Sequence, residues 1–506
     1  MRRTEETSLA EYVELPLDHF GTGHRTFKNR FWVAESGYKG AGHPVFIYDA
    51  GESSAGTSAH FRLHNKLSFF KQLVDSFGGI GIVWEHRYYG ESSPVPIDKH
   101  TPLREFKYLT SAQALADVPV FAWNFSRENF PEIDLTPAST PWIFVGGSYP
   151  GMRAAFMRET YPETIFASYA SSAPVEARTN MSVYFEPVYR GLNAYGFGNC
   201  TKDIHAAILY MDNIMANESA SKKLKEQFLG HGAGDNSNGV FAEVLESIFY
   251  TWQAYGVEGG LIGLRNFCDW LETDETEKPG GKTAGAKGWA STEGPQYVVD
   301  KWARYPNFVT LVNAAFGTDC EGPTKRTSRH GDCSLAKQTS IPASISWLWQ
   351  SCTEWGFLQS ANIGDTQIVS RWNSLEYQRS ICDRQFPDAS PVLPQWPQDV
   401  ETNNDFGGWD IRPSNTFWSG GEFDPWRTLS PLSSEDWAPQ VDLLNYIPAC
   451  NVSMAKSEIF GYVIPNAQHC YDFQTAFADG EKSRNIFTRA LEKWLKCFKS
   501  ANGYSY

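Results

Sequence analysis

Short apolar runs recur through the first third of the chain, and each ends in a turn of small residues. Pro44 to Tyr48 leads to Gly51, Ile80 to Trp84 to the turn EHRYYG, Trp142 to Val145 to Gly146, and Phe166 to Ala170 to SSAPV. Apolar runs of this length without polar alternation mark strands buried on both faces, as in a parallel sheet whose carboxyl ends feed loops that carry chemistry. After Pro174 the texture changes to long polar and helical stretches. Strand-like runs return only near Phe417, with Ser457 to Ile464 the last. Phe487, Ala490, Leu491, Trp494, Leu495 and Phe498 then form a stripe at helical spacing, which reads as core packing. The pattern predicts an α/β core made of 1–177 and 406–506, interrupted by a large, mainly helical cap at 178–405.

A length of 506 residues exceeds one core of ordinary size and agrees with a core plus an insertion. Hydrophobic residues make up 42% and aromatics 15%, the composition of an ordered globular protein. The balance of 44 Lys and Arg against 58 Asp and Glu gives a net charge of -14, which repels nucleic acid and anionic lipid, so neither is expected as a partner. No run approaches the roughly 18 apolar residues of a membrane span. Residues 273–295 are polar and glycine-rich and read as a mobile surface loop. Its Gly281-Lys282-Thr283 ends like a P-loop, but Thr276 stands where the first glycine is required and no strand precedes it, which excludes nucleotide binding there. No H-E-x-x-H or clustered His and Asp spacing occurs, and no metal or other cofactor is expected.

Nine cysteines lie beyond residue 199 with no C-x-x-C pair, which argues against a zinc ribbon or redox motif. Together with five N-x-S/T sequons, at Asn124, Asn180, Asn199, Asn217 and Asn451, they indicate an oxidising secretory route, and hence a secreted or lysosomal or vacuolar location. The opening MRRTEETSLA has no apolar h-region, so a signal peptide is expected to be absent from this chain.

The segment WIFVGGSYPGM places Ser148 between a buried strand and a helix-like segment, Met152 to Arg158. A strained strand-to-helix turn pushes such a serine hydroxyl out of the sheet; Gly146 avoids a clash there and Gly151 permits a tight approach. The pattern G-x-S-x-G is incomplete, since Pro150 stands where the second glycine belongs. A serine hydroxyl needs a base, and an α/β-hydrolase requires the order Ser, Asp or Glu, His. Of the histidines after Ser148 (His205, His231, His330 and His469), only His469 follows the returning strands, in PNAQHCYD. The acid belongs on the loop before, where SGGEFDPW offers Asp424, with Glu422, Asp410 and Asp405 as rivals. Backbone donors for an oxyanion are expected from Tyr149, after the nucleophile, and from Gly51 or Glu52.

Taken together, GGSYPGM, EHRYYGESSP, SSAPVEA, SGGEFDPW and AQHC resemble the proline-specific serine peptidase family, which includes lysosomal Pro-X carboxypeptidase, dipeptidyl peptidase II and the fungal acid prolyl endopeptidases. The resemblance runs from LPLDHF near Leu15 to the C-terminal helix, and SSAPVEA and GGWD look nearest the fungal branch. It implies an α/β-hydrolase core with a helical cap after the sixth strand and a triad of Ser148, Asp424 and His469. It further implies an apolar pocket for the residue before the cut, lined by Met152, Phe357 and Trp426, a cap disulfide between Cys352 and Cys382, and proline-containing peptide or protein substrates cut on the carboxyl side of proline. Two positions depart from the family: Pro150 where many members have Gly, and Gly51 where many have Asn. Acidic conditions implied by the family would require a His469 pKa well below the ordinary value of about 6.5. Alternatives are an esterase or lipase on the same fold and an inactive hydrolase-fold binding module.

Overall fold

The computed structural model describes residues 9–274, 282–323, 331–389 and 392–498. Part of the polar loop, 275–281 with Gly281, lies outside them. Eight strands form one sheet: β1 (Glu11–Pro16), β2 (Thr26–Ala34), β3 (Val45–Asp49), β4 (Ile80–Trp84), β5 (Trp142–Gly147), β6 (Ala167–Ser171), β7 (Thr416–Gly421) and β8 (Gly461–Ile464). Their order is β1-β2-β4-β3-β5-β6-β7-β8. Only β2 runs against its neighbours; from β4 to β8 every pairing is parallel. This is an α/β-hydrolase core.

The continuous apolar runs follow from helices on both faces. Val45, Ile47, Ile82 and Phe144 pack with Leu115, Val118 and Phe156, while Phe46, Val83, Ile143 and Val145 pack with Phe70, Leu73, Leu491 and Trp494. Side chains alternate between faces with period two, and both faces are dry. The C-terminal stripe lies in the helix Glu481–Leu495 and is buried from Phe487 to Leu495. Strands β1 and β2 were not singled out by the pattern. β1 is an edge strand carrying Glu11 and Glu14 and closing on Pro16, features that discourage pairing with another chain and leave no apolar run. Ser457 to Ile464 is divided: Glu458–Ile459 pairs with Asp442–Leu443 in a separate small sheet, and Gly461–Ile464 forms β8.

Between β6 and β7 the chain is dominated by helices, among them Gly198–Ile214, Glu218–Leu229, Leu264–Glu272 and Pro342–Gln350. They enclose their own apolar core around Phe228, Phe241, Trp252, Phe267, Trp302 and Phe308. Two ends of this segment are tied together, since the Glu176 carboxylate accepts from Trp409 N (3.0 Å) and from Asn403 Nδ2 (3.1 Å). SSAPVEA and GGWD therefore form one contact. Disulfides join Cys200 to Cys268, Cys320 to Cys333, Cys352 to Cys382, and Cys450 to Cys497; Cys470 is free. Asn124, Asn180, Asn217 and Asn451 are exposed. Asn199 differs from the sequon expectation: it is half-buried in the first turn of Gly198–Ile214, and its Nδ2 donates to Glu272 Oε2 (2.9 Å).

Glu272 faces Asp203, which accepts from Trp289 N (2.6 Å) and Ala290 N (2.8 Å). Burial and the neighbouring Asp203 charge push the Glu272 carboxyl up to about 8. The folded protein keeps a proton there that the unfolded chain releases at an ordinary carboxyl pKa near 4.5. This group's contribution to stability is therefore fully present below that value and is lost as pH rises through about 8. The unfolding midpoint should fall between pH 5 and pH 8.5, and Glu272→Gln should fall less over the same range in a thermal melt series. An equal fall in both proteins would show that the pair does not set this dependence.

Candidate active site

Strand register brings the loops together. Gly147 of β5 pairs with Ser171 of β6, Ser171 with Ser419 of β7, and Gly421 of β7 with Ile464 of β8. The loops carrying Ser148, Asp424 and His469 thus leave one edge of the sheet side by side. Ser148 has φ 70° and ψ -131°, between β5 and the helix Tyr149–Thr160. A non-glycine residue there stores roughly 1–3 kcal/mol of strain. Ser148 N donates to Ser171 O (2.9 Å), which pins the turn. A side chain at 146 would meet Pro150 O at 2.0 Å, and one at 151 would meet Ser171 O at 2.3 Å, so the glycines are sterically required. Pro150 fits because the first helical turn leaves its N–H positions unbonded anyway.

Asp424 is fully buried and caps the turn Pro425–Leu429, accepting from Trp426 N (2.9 Å). His469 Nδ1 lies 2.9 and 3.0 Å from the two Asp424 oxygens, so Nδ1 donates to the carboxylate. The rivals lie elsewhere: Glu422 accepts from Asn466 N, Asp410 pairs with Lys456 at the surface, and Asp405 is exposed. His469 Nε2 is buried and has no hydrogen-bond partner among the described residues, so it is not bonded to the half-buried Ser148 hydroxyl. The His469 loop is held at both sides: His469 N donates to Gln253 O (3.1 Å), and Cys470 N to Ser172 Oγ (2.8 Å).

Gly51 does not supply the expected free donor. Its N–H is taken by Asp49 Oδ1 (2.8 Å), and Asp49 is itself locked to Arg153 Nε (2.6 Å) in a fully buried ion pair. Gly51 has φ 62°, and a Cβ there would lie 2.3 Å from Pro150 Cγ, so the two departures from the family pattern are in direct contact. Tyr149 N opens its helix without an acceptor among the described residues. Burial pushes the Glu52 carboxyl up to about 7, against the pull of its own N–H and of His469. His469 reverses the expectation of a low pKa. Burial alone would depress it, but Asp424 and the adjacent Cys470 hold it well above 6.5.

Phe357 and Trp426 meet with ring centres 5.1 Å apart, and Trp426 lies 6.4 Å from the His469 ring. Met152 is fully buried in the same apolar cluster. Sequence reasoning missed Tyr184, whose ring stands 5.7 Å from Trp426, and Gln253, whose segment TWQAYG carries no recognisable signal. A hollow of about 440 Å³ is bordered by His469, Cys470, Gln253, Phe61 and Phe473, and another of about 370 Å³ by Glu52, Trp347 and Leu348.

Residues 15–484 match the model of the family described as Serine carboxypeptidase S28. The chain belongs to that family. It is 29% identical over 444 residues to "Probable extracellular serine carboxypeptidase" of Arthroderma benhamiae, covering 83% of this chain and 59% of the relative's length. It is 25% identical to lysosomal Pro-X carboxypeptidase of Mus musculus, covering 85% of this chain and 83% of that one. Among solved structures, proline iminopeptidase of Mycobacterium smegmatis aligns with TM-score 0.34 and 11% identity over 95% of this chain and 98% of the other. The fold assignment rests on the strand order.

Glu52 interacts electrostatically with His469, and once ionised its charge would oppose negative charge developing at the elbow. A reaction that needs His469 deprotonated and Glu52 protonated has a bell-shaped profile whose limbs belong to the pair. kcat/KM should fall about tenfold per pH unit above the higher of the two pKa values. Glu52→Gln stays neutral at every pH and should retain activity into the alkaline range. A wild-type profile still rising above pH 8 would show that ionised Glu52 does not oppose the reaction.

Proposed function

We propose that the protein is a serine peptidase that hydrolyses peptide bonds on the carboxyl side of proline through an acyl-enzyme, with Ser148 as nucleophile, His469 as general base and Asp424 as orienting acid. The observation that carries this reading is the buried Asp424–His469 bond beside a serine in the strained elbow conformation. Asp424 fixes the tautomer that leaves Nε2 as acceptor for the Ser148 proton and stabilises the imidazolium that results. Ser148 Oγ adds to the carbonyl, the amine leaves with the proton from His469, and water then releases the acyl group by the same route in reverse. The backbone N–H groups of Tyr149 and Glu52 support the oxyanion; Gly51 is withdrawn as a donor because Asp49 occupies it.

Proline offers an apolar ring and no N–H, so its selection must come from ring packing. Phe357 and Trp426 meet edge to face, Trp426 lies beside His469, and Met152 belongs to the same apolar cluster, one from the segment between β6 and β7 and two from the core. The family membership and a relative named Pro-X carboxypeptidase support the preference. Cleavage inside a chain or at its end depends on how the cap borders the cleft. Four disulfides and exposed sequons support a secreted or lysosomal or vacuolar location, and no helix among the described residues is long and apolar enough to cross a membrane.

Ser148→Ala should lower kcat by roughly six decades and abolish labelling by a serine-reactive phosphonate, with the thermal melt unchanged. A variant retaining several per cent of wild-type activity would overturn the assignment. Trp426→Ala should cost a proline substrate roughly 1–3 kcal/mol more in kcat/KM than an alanine substrate. Equal losses would mean that Trp426 supports the Asp424 turn and does not select proline. Faster turnover of a long-chain p-nitrophenyl ester than of a prolyl anilide would favour the esterase reading.

A further inference from the structure

Gln253 lies in the short helix Trp252–Tyr255, between β6 and β7, yet three of its contacts are with the site. Its backbone carbonyl accepts from His469 N (3.1 Å). Its side-chain Oε1 accepts from Trp426 Nε1 (2.8 Å) and from Tyr184 OH (3.0 Å). An indole N–H can only donate, so the amide atom facing Trp426 is the oxygen and the orientation of the carboxamide is decided. Nε2 is then turned away from Trp426, and it has no acceptor among the described residues. Gln253 is half-buried and borders the same hollow as His469. A carboxamide fixed by two bonds through its oxygen keeps two N–H groups for a ligand in the hollow that His469 also borders, with its rotamer already ordered before the ligand arrives.

The proposed specificity narrows what those N–H groups can bind. Proline has no N–H, and its own carbonyl is the reacting group. The polar handle nearest the ring is therefore the carbonyl of the residue before it, the acceptor of the tertiary amide. We infer that Gln253 Nε2 donates to the main-chain carbonyl of the residue preceding proline, making Gln253 a substrate-orienting residue shared between the segment that carries it and the core. This rests on the prolyl-peptidase reading above. It adds a polar contact that holds register while Trp426 and Phe357 hold the ring. The same residue that orients the substrate also holds the backbone of the base.

The test compares an Ala-Pro anilide with its analogue in which the alanyl carbonyl is a thiocarbonyl, a weaker acceptor remote from the scissile bond. Wild type should favour the oxygen substrate by about tenfold in kcat/KM, the size of one hydrogen bond. Gln253→Glu keeps the acceptor for Trp426 and Tyr184 and removes the N–H donors. Its kcat/KM for the oxygen substrate should drop about 10-fold or more, since a buried acceptor is left unpaired, and its oxygen-to-sulfur ratio should approach one. A residue acting only by holding His469 would lower both substrates equally and leave the wild-type ratio intact, which would overturn the inference. So would indifference of the wild type to the sulfur replacement, a measurement that requires no variant to fold. Absence of any prolyl hydrolysis by wild type would instead overturn the specificity reading on which this contact rests.

Discussion

The site depends on one backbone constraint, the positive φ of Ser148. That conformation is unfavourable by itself, and it persists because the surroundings leave no other. Helix Tyr149–Thr160 starts so close to β5 and β6 that Cβ atoms at 146 and 151 would overlap carbonyl oxygens, and Ser171 O takes the Ser148 N–H. Behind the turn, Arg153 of that helix is paired with Asp49 at the end of β3, which also holds the Gly51 N–H. A single charged pair therefore fixes the helix, the elbow and the neighbouring loop relative to one another. Losing one partner would leave the other charge buried, a cost of about 3–5 kcal/mol.

The segment between β6 and β7 is part of the site as well as its cover. Its helix Trp252–Tyr255 holds the His469 backbone, its Phe357 faces Trp426, and Glu176 ties the chain leaving the core to the chain returning. Movement of this segment against the core would disturb both the Phe357–Trp426 contact and His469. The motif EHRYYGESSP, by contrast, is architectural. Glu85 accepts from Arg30, Ala55 N and Ser92, and Arg87 is locked to Asp117, so these two charges are consumed inside the core, while Glu91 pairs with Arg30 at the surface.

Much of the sheet was legible because β3 to β7 are buried on both faces and leave unbroken apolar runs. The elbow was legible because its glycines are sterically required, and His469 and Asp424 because chain order restricts them. What escaped has physical reasons too. β1 is a charged edge, so its pattern carries no apolar run. The direction of the His469 shift depends on how close Asp424 and Cys470 come, which spacing does not encode. Gln253 depends on where the tip of a helix lands on the core. The loss of Gly51 as a donor follows from Asp49, two residues earlier, whose carboxylate folds back onto the Gly51 N–H in a way that residue order does not announce.

Pro150 and Gly51 together restrict which substitutions this site can take. With glycine at 150, an asparagine at 51 is tolerable, because asparagine accepts the left-handed backbone that φ 62° represents. With proline at 150, any Cβ at 51 falls within 2.3 Å of the ring. In this protein the two positions are therefore coupled: a side chain at 51 and the ring at 150 cannot both be seated without a shift of the loop or the elbow. The coupling is one-sided: Gly51→Asn alone meets the ring, whereas Pro150→Gly removes it.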